Sequence, residues 1–248
     1  MSTLILALAA GAVIGLALGA LGGGGSVLAV PALIYLLGFS PAGATTASLV
    51  IVMLTSVTAL VAHARDGSVR RRTGLLFAAA GIGPAMLGGA LAGRIPAVVL
   101  TASFAVVAGV AALRMLRSRP AAEGVVTVRP GRAAVAGAGL GAVTGVLGVG
   151  GGFLAVPALV SVLGLRMRNA VGTSLLVITV NSLAALTTRA GTVEELDWAV
   201  VGPFVGAAIL GAWDGRRLSV KVSGHTLQRI FALVLLAVAA FMLIDAVL

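Results

Sequence analysis

The sequence predicts an all-α polytopic membrane protein built from two copies of one unit. Three observations carry this. Of 248 residues, 60% are hydrophobic and 10% charged, whereas soluble domains carry roughly 25% charged residues. The apolar residues fall in runs of about 20, the length that crosses a hydrocarbon core of about 30 Å. Residues 11–60 also align without a gap to 137–186, with 22 of 50 positions identical at an offset of 126. A repeat of this kind is one supersecondary unit used twice.

The elements follow in order. Residues 3–21 are an apolar run rich in Ala, Gly and Leu, broken by glycines at 22–25. Residues 26–37 form a short segment ended by Gly38-Phe39-Ser40-Pro41. Residues 43–63 read as a full span, and 74–93 and 96–117 as two more. The polar stretch 118–132 is a linker, and it divides a first transmembrane repeat (1–117) from a second (133–248). The second half repeats the order: 133–147 apolar, 148–152 the glycine break, 153–164 short, then spans at 170–188, 198–213 and 225–247. A 12-residue helix reaches only about 18 Å, so the two short segments are broken or re-entrant helices. The expectation is eight long spans and two short helices. The first residues carry no basic stretch, so the first segment is read as a retained span rather than a cleaved signal.

Charge sets the orientation. Basic residues mark cytoplasmic loops. Placing the loops 64–73, 118–132, 165–169 and 214–224 inside, with the adjoining helix ends that carry Arg114, Arg117 and Arg229, puts every Lys and Arg inside except Arg94 and Arg189. The loop after residue 63 is basic, while its repeat mate at 189–197 carries Glu194, Glu195 and Asp197. Equivalent loops of opposite charge imply opposite orientation, hence an inverted-topology repeat in a cell (inner) membrane, with both termini outside. The net charge of +10 is therefore read as topogenic, with no nucleic-acid partner. The bilayer is the partner surface, and the Gly/Ala-rich faces leave room for a homodimer.

The main candidate site is the pair of breaks: Gly22, Gly23, Gly24, Gly25 and Ser26 in the first copy, and Gly148, Gly150, Gly151 and Gly152 in the second. Irregular backbone at membrane depth is tolerated only where protein covers it or it lines a cavity. Each run opens a helix, and a helix N-terminus offers N–H groups and the positive end of a dipole to an anion. The alternative is close helix packing through small residues, the reading for Gly15, Gly19, Gly141 and Gly145. Ser48 and Ser174 share a repeat position, with Thr46 and Thr173 nearby. Their hydroxyls can donate to an anion or to the carbonyl one turn back. Asn181 is the most polar residue inside a span and serves as a ligand contact or as interhelical glue. Pro31 and Pro157 end or kink the short helices.

What is missing also constrains function. There is no cysteine, and the only histidines are His63 and His225. No Asp, Glu, Lys or Arg lies near the predicted centre of a span, which disfavours a cation carrier. Nothing suggests a catalytic set or a cofactor, and the chain is not expected to be an enzyme.

The doubled glycine run followed by Pro-Ala-Leu at 31–33 and 157–159, the stretch Ala170-Val171-Gly172-Thr173-Ser174-Leu175, and His63-Ala64-Arg65-Asp66-Gly67 together resemble the sulfite exporter TauE/SafE family of membrane permeases. The likeness covers nearly the whole chain. It implies secondary transport of a small sulfur-containing anion such as sulfite or an organosulfonate. Arg189 stands where similar proteins often carry a histidine.

Overall fold

The computed structural model describes residues 2–92, 96–117, 129–147, 152–187 and 196–247. Among these residues every regular element is helical. Helix α1 (Ser2–Leu21) stops at Gly22, whose φ of 72° suits a residue without Cβ. The break is shorter than the four glycines suggest. Helix α2 (Gly24–Pro31) starts two residues on and passes into one π-helical stretch, Ala32–Leu36. Pro31 lacks the N–H that the carbonyl of Val27 needs, and the helix widens immediately after it.

Ser40 and Pro41 launch the next helix. The Ser40 hydroxyl accepts from the Gly43 N–H at 3.2 Å, and Pro41 occupies the first helical position, where its missing N–H is harmless. Helix α3 (Pro41–Arg65) follows, then a turn at 66–70, α4 (Arg71–Ala92) and α5 (Ala97–Arg117). In the second half α6 is Pro130–Leu147, α7 Gly152–Ser161, α8 Met167–Thr187, α9 Trp198–Lys221 and α10 Gly224–Val247.

Several helix boundaries differ from the sequence reading. Helix α6 begins at Pro130, so the end of the linker is helical. Helix α9 continues to Lys221 and takes Asp214, Arg216 and Arg217 out of the predicted loop. Charges end a hydrophobic run, but Arg, Leu and Lys are good helix formers, and nothing breaks the helix before Ser223-Gly224.

The ends of the two short helices close alike. Gly38 N–H donates to the Ile34 carbonyl and Phe39 N–H to Leu33. Gly164 N–H donates to Val160 and Leu165 N–H to Leu159, the same two bonds 126 residues later. Gly38 and Gly164 have φ of 71° and 68°.

Helix α1 runs along α9, and α4 along α6. Glycines make both contacts close. A Cβ built on Gly15 would stand 2.6 Å from Ala208 Cα, and one on Gly141 2.7 Å from Gly81 Cα. Such backbone proximity is the way apolar helices gain contact when lipid removes the hydrophobic drive between them. At the centre α3 packs against α8, α5 packs against α10, and the short helices α2 and α7 touch each other. The outer faces carry large apolar side chains: Val135 is 75%, Leu210 71% and Leu87 70% exposed. Among the described residues five helices are long and apolar enough to cross a membrane: Thr3–Leu21, Gly43–Arg65, Met167–Thr187, Trp198–Lys221 and Gly224–Ile244. An apolar exterior of this kind requires lipid.

Candidate functional site

The first glycine break sits on the second half of the chain. A Cβ on Gly22 would stand 2.5 Å from Ser174 Oγ and 3.2 Å from Val171 Cα, both on α8. A Cβ on Gly23 would stand 2.9 Å from Phe153 Cα and closer still to the Gly152 carbonyl oxygen, at the start of α7. Gly25 faces back on α1, with Ile14 O at 2.6 Å from its built Cβ. Only residues without side chains allow these approaches. The N-terminal ends of α2 and α7 therefore meet, with Gly24 and Ser26 in the first turn of α2 and Gly152 opening α7. No side chain caps the start of α2. Gly148, Gly150 and Gly151 lie outside the described residues.

The hydroxyls divide. Ser48 Oγ donates to the Thr45 carbonyl and Ser174 Oγ to the Val171 carbonyl, each at 2.8 Å. In this conformation both protons are used within their own helices, so donation to a ligand would require the hydroxyls to turn. Ser174 is fully buried beneath Gly22. Thr46 is buried on α3. Thr173 Oγ1 accepts from the Arg70 N–H at 3.0 Å, which ties α8 to the turn after α3.

That turn joins four helices. His63 Nε2 lies 3.2 Å from the Gly19 carbonyl of α1, and its Nδ1 lies 3.3 Å from Ser68 Oγ. A carbonyl only accepts, so the hydrogen bond to Gly19 puts the proton on Nε2. Ser68 packs on Gly172 of α8, and Arg216 of α9 holds Asp66 through two nitrogens, Nε at 3.0 Å and Nη2 at 2.6 Å. His63 is buried at the end of α3.

Two residues that the sequence reading did not place in the site stand out. Ser56 on α3 and Ser182 on α8 are buried, and neither hydroxyl has a hydrogen-bond partner. Asn181 Oδ1 beside Ser182 is likewise buried without a donor, as is Arg70 Nε without an acceptor. The signal for the serines was present: 56 and 182 differ by 126, and both are serine where neighbouring residues differ.

The model of the sulfite exporter TauE/SafE family matches residues 7–242. Two similar proteins, each named "probable membrane transporter protein", come from Xylella fastidiosa strains Temecula1 (ATCC 700964) and 9a5c. Each is 36% identical over 250 residues, covering 97% of this chain and 95% of the relative. No solved structure matches.

Proposed function

The chain belongs to the sulfite exporter TauE/SafE family and is a multi-pass membrane protein, and from that premise we propose a secondary permease. It moves a small sulfur oxyanion, sulfite or an organosulfonate, by alternating access. The observation that carries this reading is the meeting of the two breaks: Gly22 and Gly23 lie on Ser174, Gly152 and Phe153. Two helix N-termini converging at one place suit an anion, because dipole ends and N–H groups face it without the desolvation of a buried lysine.

The site comprises the two glycine runs with Ser26, Thr46, Ser48, Thr173, Ser174 and Asn181. The halves 1–117 and 133–248 are inverted copies. Supporting this are the 22 identical positions, the repeated pair of bonds at Gly38 and Gly164, the matched pairings α1 with α9 and α6 with α4, and the opposite charge of equivalent loops. The substrate then lies near the membrane midplane between broken helices, as in other inverted-repeat transporters. The termini face outward, and the family's activity fits the inner membrane.

Labelled sulfite uptake into proteoliposomes, with and without unlabelled sulfite inside, tests the proposal. Acceleration by internal sulfite is the expected result. Uptake that neither saturates nor responds to internal sulfite would instead describe a passive channel. Sulfate, thiosulfate and sulfonates as competitors set the specificity.

A further inference from the structure

Four buried side-chain atoms among the described residues have no hydrogen-bond partner, and three of them are Ser56 Oγ, Asn181 Oδ1 and Ser182 Oγ. All three lie on the packed pair α3 and α8. Serine in a membrane helix normally turns to a carbonyl of its own helix. Other hydroxyls on these two helices do so: Ser48 to Thr45 at 2.8 Å, Thr55 to Ile51 at 2.6 Å, Thr58 to Leu54 at 2.9 Å, Ser174 to Val171 at 2.8 Å and Thr179 to Leu175 at 2.8 Å. Ser56 and Ser182 leave that bond unmade. A buried polar atom without a partner is costly in a hydrocarbon environment and calls for water, an ion or a ligand.

The two serines fall at one level of this helix pair. Gly172 near the start of α8 packs on Ser68, and Ser68 N–H bonds back to the His63 carbonyl at the end of α3. The two helices therefore run in opposite directions. Ser182 lies about 15 Å along α8 from Gly172, and Ser56 about 10 Å back along α3 from His63. The serines are level to within about one turn. Each serine also shares a helical face with buried apolar residues of its own helix. Leu175 and Ile178 of α8 enter one apolar cluster with Val52 and Ala59 of α3. Ser182 is seven and four residues on from the former pair, and Ser56 is four and three residues from the latter, so each sits on the same helical face.

We infer that Ser56, Asn181 and Ser182 form a second ligand position on the path, about 12 Å along α8 from Ser174 at the breaks, and that the species carried is a monoanion bearing its own O–H, of which hydrogensulfite is the simplest member. This deepens, and rests on, the permease reading. Neither helix has a charged residue over 43–62 or 169–187. Two serine hydroxyls can donate to anionic oxygens, but no cation is present on either helix there to offset a second negative charge, and desolvation rises with the square of charge. Asn181 Oδ1 accepts, and a ligand that brings its own O–H satisfies it. Sulfate, a dianion without O–H, lacks both requirements, and methanesulfonate, a monoanion without O–H, lacks one.

The test is sulfite counterflow in proteoliposomes at one mildly acidic pH, with wild type, Ser56→Ala, Ser182→Ala and Asn181→Leu. Each substitution raises KM roughly tenfold, the scale of one hydrogen bond to a charged ligand, with the detergent melting temperature unchanged or higher because an unpartnered group has gone. Ser56→Cys and Ser182→Cys, near in volume but weak donors, behave like the alanine variants. In wild type, methanesulfonate and sulfate compete at least tenfold less well than sulfite. KM unchanged in all variants overturns the site while leaving the permease standing. Equal competition by methanesulfonate overturns the donor requirement. Absence of counterflow in wild type overturns the permease reading and this site with it.

Discussion

Gly23→Ala probes the contact between the two breaks. Gly23 has an ordinary backbone, φ −60° and ψ −15°, so the substitution adds one methyl group without backbone strain. That methyl would stand 2.9 Å from Phe153 Cα and closer to the Gly152 carbonyl oxygen, whereas ordinary contact begins at 3.4 Å. The ends of α2 and α7 must then separate by at least 0.5 Å, the difference between those two distances. Both obstructing groups are backbone, so no side-chain rotation relieves them. Overpacking of this kind costs about 1–3 kcal/mol, and Gly23 is the N-cap of α2, where alanine has no advantage over glycine to offset it. The expected net loss is about 2 kcal/mol, with counterflow reduced about tenfold or more by displacement of the helix ends. The assays are thermal melting in detergent and sulfite counterflow. Gly83→Ala and Gly109→Ala are the controls, because a Cβ there meets nothing within 4 Å. They are expected to keep full flux. Wild-type melting and flux in Gly23→Ala would refute the packing of one break on the other.

Three further outcomes follow from the same contacts. Gly22→Ala combines a φ of 72°, worth about 1–2 kcal/mol for a residue with Cβ, with a clash against Ser174 Oγ. Adding Ser174→Ala relieves the second part only, so a double-mutant cycle by melting gives a coupling of about 0.5–1 kcal/mol, and simple additivity would contradict the contact. The Asp66–Arg216 pair has side chains 40% and 22% exposed and contributes about 0.5–1 kcal/mol. Its cycle shrinks as salt is raised, and a coupling indifferent to salt would count against it. Ser40→Ala removes the cap on α3 and lowers stability by about 1 kcal/mol, while Ser40→Asp retains it; equal melting of the two variants would mean the cap is idle.

Much of the fold is written locally in the chain. The end of α1 at Gly22 and the start of α3 at Ser40-Pro41 are stop and start signals in single residues. The glycine contacts of Gly15, Gly19 and Gly141 are packing, as small residues at helical spacing suggest. The end of α9 was not legible, because hydropathy falls at residue 213 where helix preference does not. The site was legible only as a set of residue types. A hydroxyl in a span serves a ligand or its own helix with the same letter in the sequence, and the geometry puts the protons of Ser48 and Ser174 on their own carbonyls. Thr173 is engaged by a backbone N–H 103 positions away, which no local pattern encodes. Ser56 and Ser182 are marked by a bond they do not make, and only a neighbourhood can show that.

A single site shared by the two breaks requires the halves to face opposite ways, and repeat mates Gly38 and Gly164 report on this most directly. Both end a short helix, both have positive φ, and a Cβ built at either meets nothing within 4 Å. The chain has no cysteine, so Gly38→Cys and Gly164→Cys each carry the sole thiol. Labelling in intact cells and in inverted vesicles with a membrane-impermeant maleimide reads which face each loop occupies. The inverted arrangement predicts Gly38→Cys labelled from outside only and Gly164→Cys from the cytoplasmic side only. Labelling of both from the same face would contradict it.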